Sequence, residues 1–319
     1  MALVPAPLPK REAPWLGIGV SGEWNDYREA LYDSQLDFTV HPQECKTEIV
    51  LTGMDGDIVY YANVPGIQAN VVDDSDKILG AVSNAYGIIQ NASAFSLMQP
   101  LCDAGAIITH AGMTEQGLVF MVAQWDMFMM NGEDYTLDIM ATNSFNGSYP
   151  CGLIMTPRRI ICQNMYRKIC NDQLLHVRHM RLAPRRIEEA KVNQGRILTY
   201  MEEFKDIMDH SLYVTLNPRK LNKLMGIMFP YPKDEEAVRY QTSKDQVDRI
   251  REEWLDLYYS AGDVKKFGAS ALRFIHAYYD YLSHGTIALR RMTGDIDRRF
   301  SRLVSGDSVN TKLIKEALK

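Results

Sequence analysis

Between Thr156 and Arg186 the chain carries eight cationic side chains, Arg158, Arg159, Arg167, Lys168, Arg178, Arg181, Arg185 and Arg186, against one acid, Asp172. Guanidinium groups stay charged under cellular conditions and bind phosphate or carboxylate through paired hydrogen bonds. The whole chain has a formal net charge of −5, and residues 1–155 hold nineteen acids and five bases, whereas residues 187–319 are close to neutral. A localised cationic segment in an acidic protein points first to an extended polyanion such as nucleic acid. The competing expectation is that these arginines pair with the N-terminal acids, within the chain or across a subunit interface. Tyr166 stands among Arg158, Arg159, Arg167 and Lys168, and single strands are held by cations that track phosphates beside rings that stack on bases. The candidate nucleic-acid-binding set is therefore Arg158, Arg159, Tyr166, Arg167, Lys168, Arg178, His179 and Arg181. For Arg159, next to a predicted helix cap at Thr156, pairing with a buried acid is as strong an expectation as a phosphate contact.

Other constellations carry less. Gly17-x-Gly19-x-x-Gly22 has dinucleotide-fingerprint spacing, but that motif must close a parallel strand and open a helix, and no such unit is predicted. Cys162, Cys170, His176 and His179 lack the two close ligand pairs of a structural zinc site. Asp73, Asp74 and Asp76 read as a solvated acidic turn before they read as a cation site. His276 and His284, set among tyrosines, fit packing with polar tips at a surface or interface. No nucleophile elbow or metalloprotease helix motif occurs, so neither enzyme activity, cofactor nor metal is expected.

These groups must be positioned by an α+β fold. AIITHAG (106–112), LVFMVAQWDM (118–127), TLDIMAT (136–142) and YPCGLIMT (149–156) predict an antiparallel meander, with Asn146-Gly147 as its strongest turn pair. An earlier hairpin is expected around Pro65-Gly66, and a short interrupted helix over 92–103. Thr156-Pro157 predicts the start of a helix, with Ile161, Met165 and Ile169 as its apolar stripe. Beyond Pro184 apolar residues recur at helical spacing: Ile197 to Leu212, a helix over 218–228, one begun by a capping box at Ser243-x-x-Gln246, and helices through Ala271–Leu282 and Ile296–Leu303. The layout is a Pro-rich arm (1–14), an α+β core (15–182) of antiparallel hairpins and packed helices, and a mainly helical C-terminal region (183–319) with a linker or insertion at 230–244.

The chain is 46% hydrophobic and 24% charged, ordinary for a globular domain. No apolar run approaches the roughly eighteen residues of a membrane span. Five cysteines without paired spacing point to a reducing cytoplasm.

Thr156-Pro157-Arg158-Arg159-Ile160-Ile161-Cys162-Gln163-Asn164 resembles the TP-x-R-(V/I)-(V/I)-C-x-N signature of a family of phage- and plasmid-encoded proteins of unknown function. Matches extend to Trp15-Leu16-Gly17, Leu36-Asp37-Phe38, Ala69-Asn70-Val71, Leu79-Gly80, Tyr86, Gln90-Asn91, Asn146-Gly147-Ser148 and Arg178-His179. The resemblance covers roughly residues 15–190. It implies a place among the replication and recombination proteins of mobile elements, a cytoplasmic location in a bacterial host, and a distant likeness in fold to single-strand annealing proteins. The sequence departs from the family at Val72, Ala85 and Gly87, where relatives carry basic residues, which leaves binding to residues 158–186. The resulting expectation is a non-enzymatic single-stranded DNA-binding protein that promotes annealing as a homo-oligomeric ring or filament. A protein that docks an acidic host or phage partner is the alternative, and a metal-dependent enzyme stands third.

Overall fold

The computed structural model describes residues 13–53, 56–73, 75–160, 165–166, 173–190, 194–233, 240–284, 300, 304 and 308–319. The fold is α+β, with antiparallel sheets, packed helices and a helical C-terminal region. The larger sheet contains β1 (Val20–Trp24), β5 (Ile107–Met113), β6 (Leu118–Met130), β7 (Glu133–Ser144), β8 (Cys151–Arg159) and β9 (Gln173–Val177), in that spatial order. The smaller contains β2 (Val40–Gly53), β3 (Gly56–Val72) and β4 (Ile78–Ser83).

The apolar run of β6 is buried on both sides. Val119, Met121 and Ala123 join one core cluster, whereas Leu118, Phe120 and Val122 join another. That is why the strand reads as nearly continuous hydrophobic sequence rather than an alternating pattern. The first cluster is covered by α1 (Tyr27–Asp33), α2 (Asn91–Phe95), a 3₁₀ turn at Ser96–Met98 and α3 (Gln99–Asp103). The opposite cluster contains Trp15, Ile18, Phe300 and Val304. Ala13 and Pro14, the last residues of the predicted arm, are buried; the arm's residues 1–12 lie outside the described residues.

The hairpin joining β6 to β7 turns at Asn131 (φ 52°) and Gly132 (φ 71°). Positive φ at both central residues is the primed-turn geometry that Asn-Gly favours. Asn146-Gly147 instead lies within a longer bend between β7 and β8.

The predicted hairpin turn at Pro65-Gly66 is corrected, because β3 runs straight through it and pairs with β2 on both sides. Between the pairs Glu44–Gln68 and Lys46–Asn63 one residue of β2 faces four of β3. Pro65-Gly66 (Gly66 φ 79°) lies in that bulge, so its turn chemistry bends a ribbon instead of reversing the chain. Strand β2 has no strong alternating pattern, and its pairing with β3 is what defines it.

Helices α4 (Ala183–Glu188), α5 (Gln194–Tyr213), α6 (Pro218–Met228), α7 (Tyr240–Ser260), α8 (Gly262–Lys265), α9 (Ala271–His284) and α10 (Ser308–Leu318) make the helical region. The Ile197–Leu212 stripe and the 218–228 helix lie where the periodicity predicts them. Helix α7 begins at Tyr240, so Ser243 is inside it and forms no capping box, and the predicted 230–244 linker ends by residue 239. Met130, Tyr135 and Tyr166 share a core cluster with Phe204, Trp254, Phe274 and Tyr279, which packs the helices onto one end of the sheet.

Candidate nucleic-acid interface

The predicted helix at Thr156-Pro157 is a strand. Arg158 and Arg159 are its last residues, in register with Thr136 and Tyr135 of β7. The local cap signal loses to a continuous ladder with β7, in which Pro157 is in register with Leu137, past the last β8–β9 pairing at Ile154. Past Ile160 the chain returns antiparallel: Met165 bridges Arg158, and the Tyr166 N–H donates to the Pro157 carbonyl at 3.0 Å. Ile161 and Ile169, with most of the rest of the predicted helix, lie outside the described residues.

Because neighbouring strand residues face opposite sides, the two arginines enter different layers. Arg158 donates from Nε to Asp138 Oδ2 at 2.6 Å and from Nη2 to Oδ1 at 3.2 Å, and its guanidinium lies 5.3 Å from the Trp15 ring centroid. Burial raises the Asp138 carboxyl above its usual range while Arg158 pulls it down. Arg159 is fully buried. Its Nε donates to Glu133 Oε2 at 3.0 Å, Nη1 to Asp263 Oδ2 at 3.0 Å, and Nη2 to the Asp263 carbonyl at 3.0 Å. Lys266 also pairs with Glu133. Arg159 thus ties the sheet to α8, the structural role that its place in the motif allowed.

Tyr166 is 0% exposed and offers no face to a nucleobase. Its hydroxyl shares a 2.6 Å hydrogen bond with His276 Nδ1, and its ring packs against Tyr135, Phe204 and Tyr279. The expectation that Tyr166 and Arg158–Arg159 form one exposed stacking surface is therefore corrected. A strand end entering two cores cannot also present these groups to solvent. Arg167 and Lys168 lie outside the described residues.

The downstream half of the segment is different. Arg178, Arg181, Arg185 and Arg186 are exposed along the end of β9 and α4. Arg185 is paired with Glu189 of the next helical turn at 2.7 Å. Among the described residues Arg178, Arg181 and Arg186 form no ion pair. Met180 (56% exposed) and Leu182 (64%) stand between them. The turn is seated by His179, whose ring stacks on Tyr86 at 4.8 Å. It also needs Gly87: a Cβ there would lie 2.0 Å from the Met180 carbonyl oxygen. The basic residue expected of relatives at this position is thus sterically incompatible with this turn. A cavity of about 280 Å³ lined by Thr142, Tyr149, Gln173 and His176 opens beside it.

The other residues of the resemblance form an internal clamp. Asn70 donates to the Phe145 carbonyl at 2.6 Å, Tyr86 to the Ser144 carbonyl at 2.7 Å, and Gln90 to the Val40 carbonyl at 2.7 Å. Asn143 donates to Asn91 Oδ1 and the Ile89 carbonyl, both at 2.9 Å. Gly80 makes room for Asn146, whose Cβ would sit 2.5 Å from a Cβ there. The first two bonds join the small-sheet region to the end of β7, Gln90 ties β2 to the start of α2, and Asn143 holds that start against β7.

A protein-family model for a domain of unknown function, DUF932, matches residues 78–306, most of the chain and both sides of the 182/183 boundary. The chain belongs to the DUF932 family. No curated protein and no solved structure matches it. In this DUF932 protein the matched region contains strands β5 to β9 of the larger sheet, the buried arginine anchors, the exposed Arg178–Arg186 strip and most of the helical region, while β1 precedes it.

The remaining candidate groups are dispersed. Gly19 (φ 82°) precedes β1, an antiparallel strand beside β5, and a Cβ there would lie 2.2 Å from the Ala111 carbonyl oxygen. Gly19 thus serves close backbone approach, and Gly22 makes room for the Trp24 ring. Asp73 accepts from Thr39 and pairs with His41 at 2.5 Å, and Asp74 lies outside the described residues. His176 is exposed on β9 whereas His179 is turned against Tyr86; Cys162 and Cys170 lie outside the described residues. Among the described residues no three His, Cys, Asp or Glu side chains converge as for a metal, and no helix is long and apolar enough to cross a membrane.

Burial lowers His179 to about 4. Burial, followed by the charges of Arg159 and Lys266, holds His276 well below the usual histidine value. Both are neutral when folded, but protonate near pH 6.5 once unfolded. The unfolded state then binds more protons, so stability falls as pH drops below about 6.5. Between pH 7.5 and 5 His179 should cost about 2 kcal/mol, with His276 acting in the same direction, measurable by urea denaturation. A flat stability profile over that range would contradict these environments.

Proposed function

We propose that this DUF932 protein is a non-enzymatic binding protein for single-stranded nucleic acid, DNA in the first instance, and that it promotes strand annealing as an oligomer. The observation that carries the reading is the division of the cationic segment. Arg158 and Arg159 are consumed by the fold, whereas Arg178, Arg181 and Arg186 are displayed without ion-pair partners among the described residues. Unpaired guanidinium groups along one edge provide the phosphate track. The adjacent cavity, with Tyr149 and His176, offers rings for an unstacked base.

With three phosphate contacts the log–log dependence of affinity on salt should have a slope near −2, from about −0.7 per contact on a single strand. Fluorescence anisotropy of a labelled oligothymidylate measures it. Changing Arg178, Arg181 and Arg186 to Ala should remove most of that slope at unchanged melting temperature. Binding that survives this triple change would place the interface elsewhere. An acidic protein partner is the second reading, favoured by the aliphatic character of Met180 and Leu182 between the arginines; it gives no oligonucleotide affinity and loss of the partner in the same variant.

A further inference from the structure

Strands β2 and β3 continue beyond the small sheet as a two-stranded ribbon. Strand β4 pairs with β3 only from Ile67 onward, whereas β2 and β3 pair from Lys46–Asn63 to Gly53–Gly56. Residues placed opposite each other share a face. Leu51, Ile58 and Tyr60 therefore lie on one side and Val50, Val59 and Tyr61 on the other. All six are exposed, Ile58 at 65% and Tyr61 at 66%. A two-stranded ribbon with both faces in water is marginal by itself, and an apolar ribbon with open edges is a pairing surface.

Charge decides what covers it. From Val40 to Val72 the described residues of the ribbon carry Glu44, Glu48 and Asp57 against Lys46, which repels phosphate and disfavours a second ribbon. On the Val50–Val59 face, Glu48 stands at one side of the apolar pair and Asp57 at the other. Four residues of strand separate those two levels, about 13 Å at 3.3 Å per residue. The Arg178–Arg186 strip has the converse pattern, with Met180 and Leu182 exposed between arginines.

We infer that the ribbon is an assembly arm, and that its Val50–Val59 face docks on the Met180–Leu182 strip of a second copy of this chain, with Glu48 and Asp57 meeting the arginines. The contact joins two different surfaces, so it is head-to-tail and propagates into a ring or filament. It also places the ribbon and nucleic acid in competition for the same arginines, so that in an open filament the strip at the free end is the one open to a strand, and a closed ring must open to bind one. The assembly contact itself does not depend on the nucleic-acid reading.

The test uses the full chain in two charge-reversed forms, Glu48→Arg/Asp57→Arg and Arg178→Glu/Arg181→Glu, with sedimentation velocity in 50 mM and 500 mM salt and a melting curve for each. Wild type should sediment well above the 36.4 kDa monomer at low salt and dissociate at high salt. Each variant alone should be monomeric with an unchanged melting temperature. An equimolar mixture should reassemble, because each reversed surface then meets its complement. A monomeric wild type at tens of micromolar, assemblies that survive either reversal, or a mixture that stays monomeric would overturn the contact. Oligothymidylate anisotropy on the ribbon variant separates the two readings. Its strip is intact, so loss of assembly with retained or tighter oligonucleotide binding supports both; unaltered assembly with retained binding overturns the docking contact alone.

Discussion

Arg159→Ala should destabilise the protein by about 3–5 kcal/mol, the range for leaving a buried charge uncompensated. The guanidinium is fully buried and bridges Glu133 on β7 to the carboxylate and carbonyl of Asp263 on α8. Its removal leaves the Asp263 carboxylate without that partner and Glu133 with Lys266 alone, next to the aromatic cluster around Phe267 and His276. Arg159→Lys should recover only part of the loss, because one ammonium cannot reproduce the planar fork that reaches three acceptors. Chemical denaturation of the purified variants measures both. A melting temperature within a degree of wild type for Arg159→Ala would show that the sheet and the helical region are not joined through this side chain.

Tyr166→Ala should cost a similar amount, about 3–5 kcal/mol, because it opens a cavity in a close-packed aromatic cluster. Phe204 and Tyr279 pack directly on the ring, with centroids 5.9 and 5.0 Å away. Tyr166→Phe keeps the volume but removes the hydroxyl that meets His276 Nδ1, and His276 Nε2 has no hydrogen-bond partner among the described residues. A buried imidazole with neither nitrogen satisfied costs about 1–3 kcal/mol. Neither change should alter the salt slope of oligonucleotide binding in protein that remains folded. A Tyr166→Phe variant of wild-type stability but weakened strand affinity would restore the ring to the binding surface and contradict its burial.

The contrast between these residues and Arg178 explains how far the sequence could be read. Apolar runs bounded by turn residues revealed the meander from Ala106 to Thr156, and helical periodicity found α5, α6 and α9. At Thr156-Pro157 the same local rules failed. Thr and Pro fit a helix start as well as an edge-strand end, and only the pairing with β7 separates the two. The error propagated to the site. A helix would have placed Arg158, Tyr166 and Arg167 on an outer face, whereas a strand that ends between two cores sends Arg158 to Asp138 and Arg159 to Glu133. The cationic cluster was legible as composition, but its division into anchors and a displayed strip depends on burial. A signal for the anchors was present in Glu133 and Asp138, acids on the meander strands, which need partners when buried. The ribbon was obscured at Pro65-Gly66, where a pair that usually reverses a chain instead bends a long strand.

Photo-crosslinking tests the central claim most directly. An oligothymidylate containing 4-thiothymidine is bound to the full chain at low salt, irradiated, and the attached peptides are identified by mass spectrometry. Crosslinks should concentrate between His176 and Arg186 and around Tyr149, and should disappear when Arg178, Arg181 and Arg186 are changed to Ala. No crosslinked peptide, or crosslinks confined to the acidic ribbon between Lys46 and Asn63, would contradict the assignment of a single-strand track to the exposed arginines.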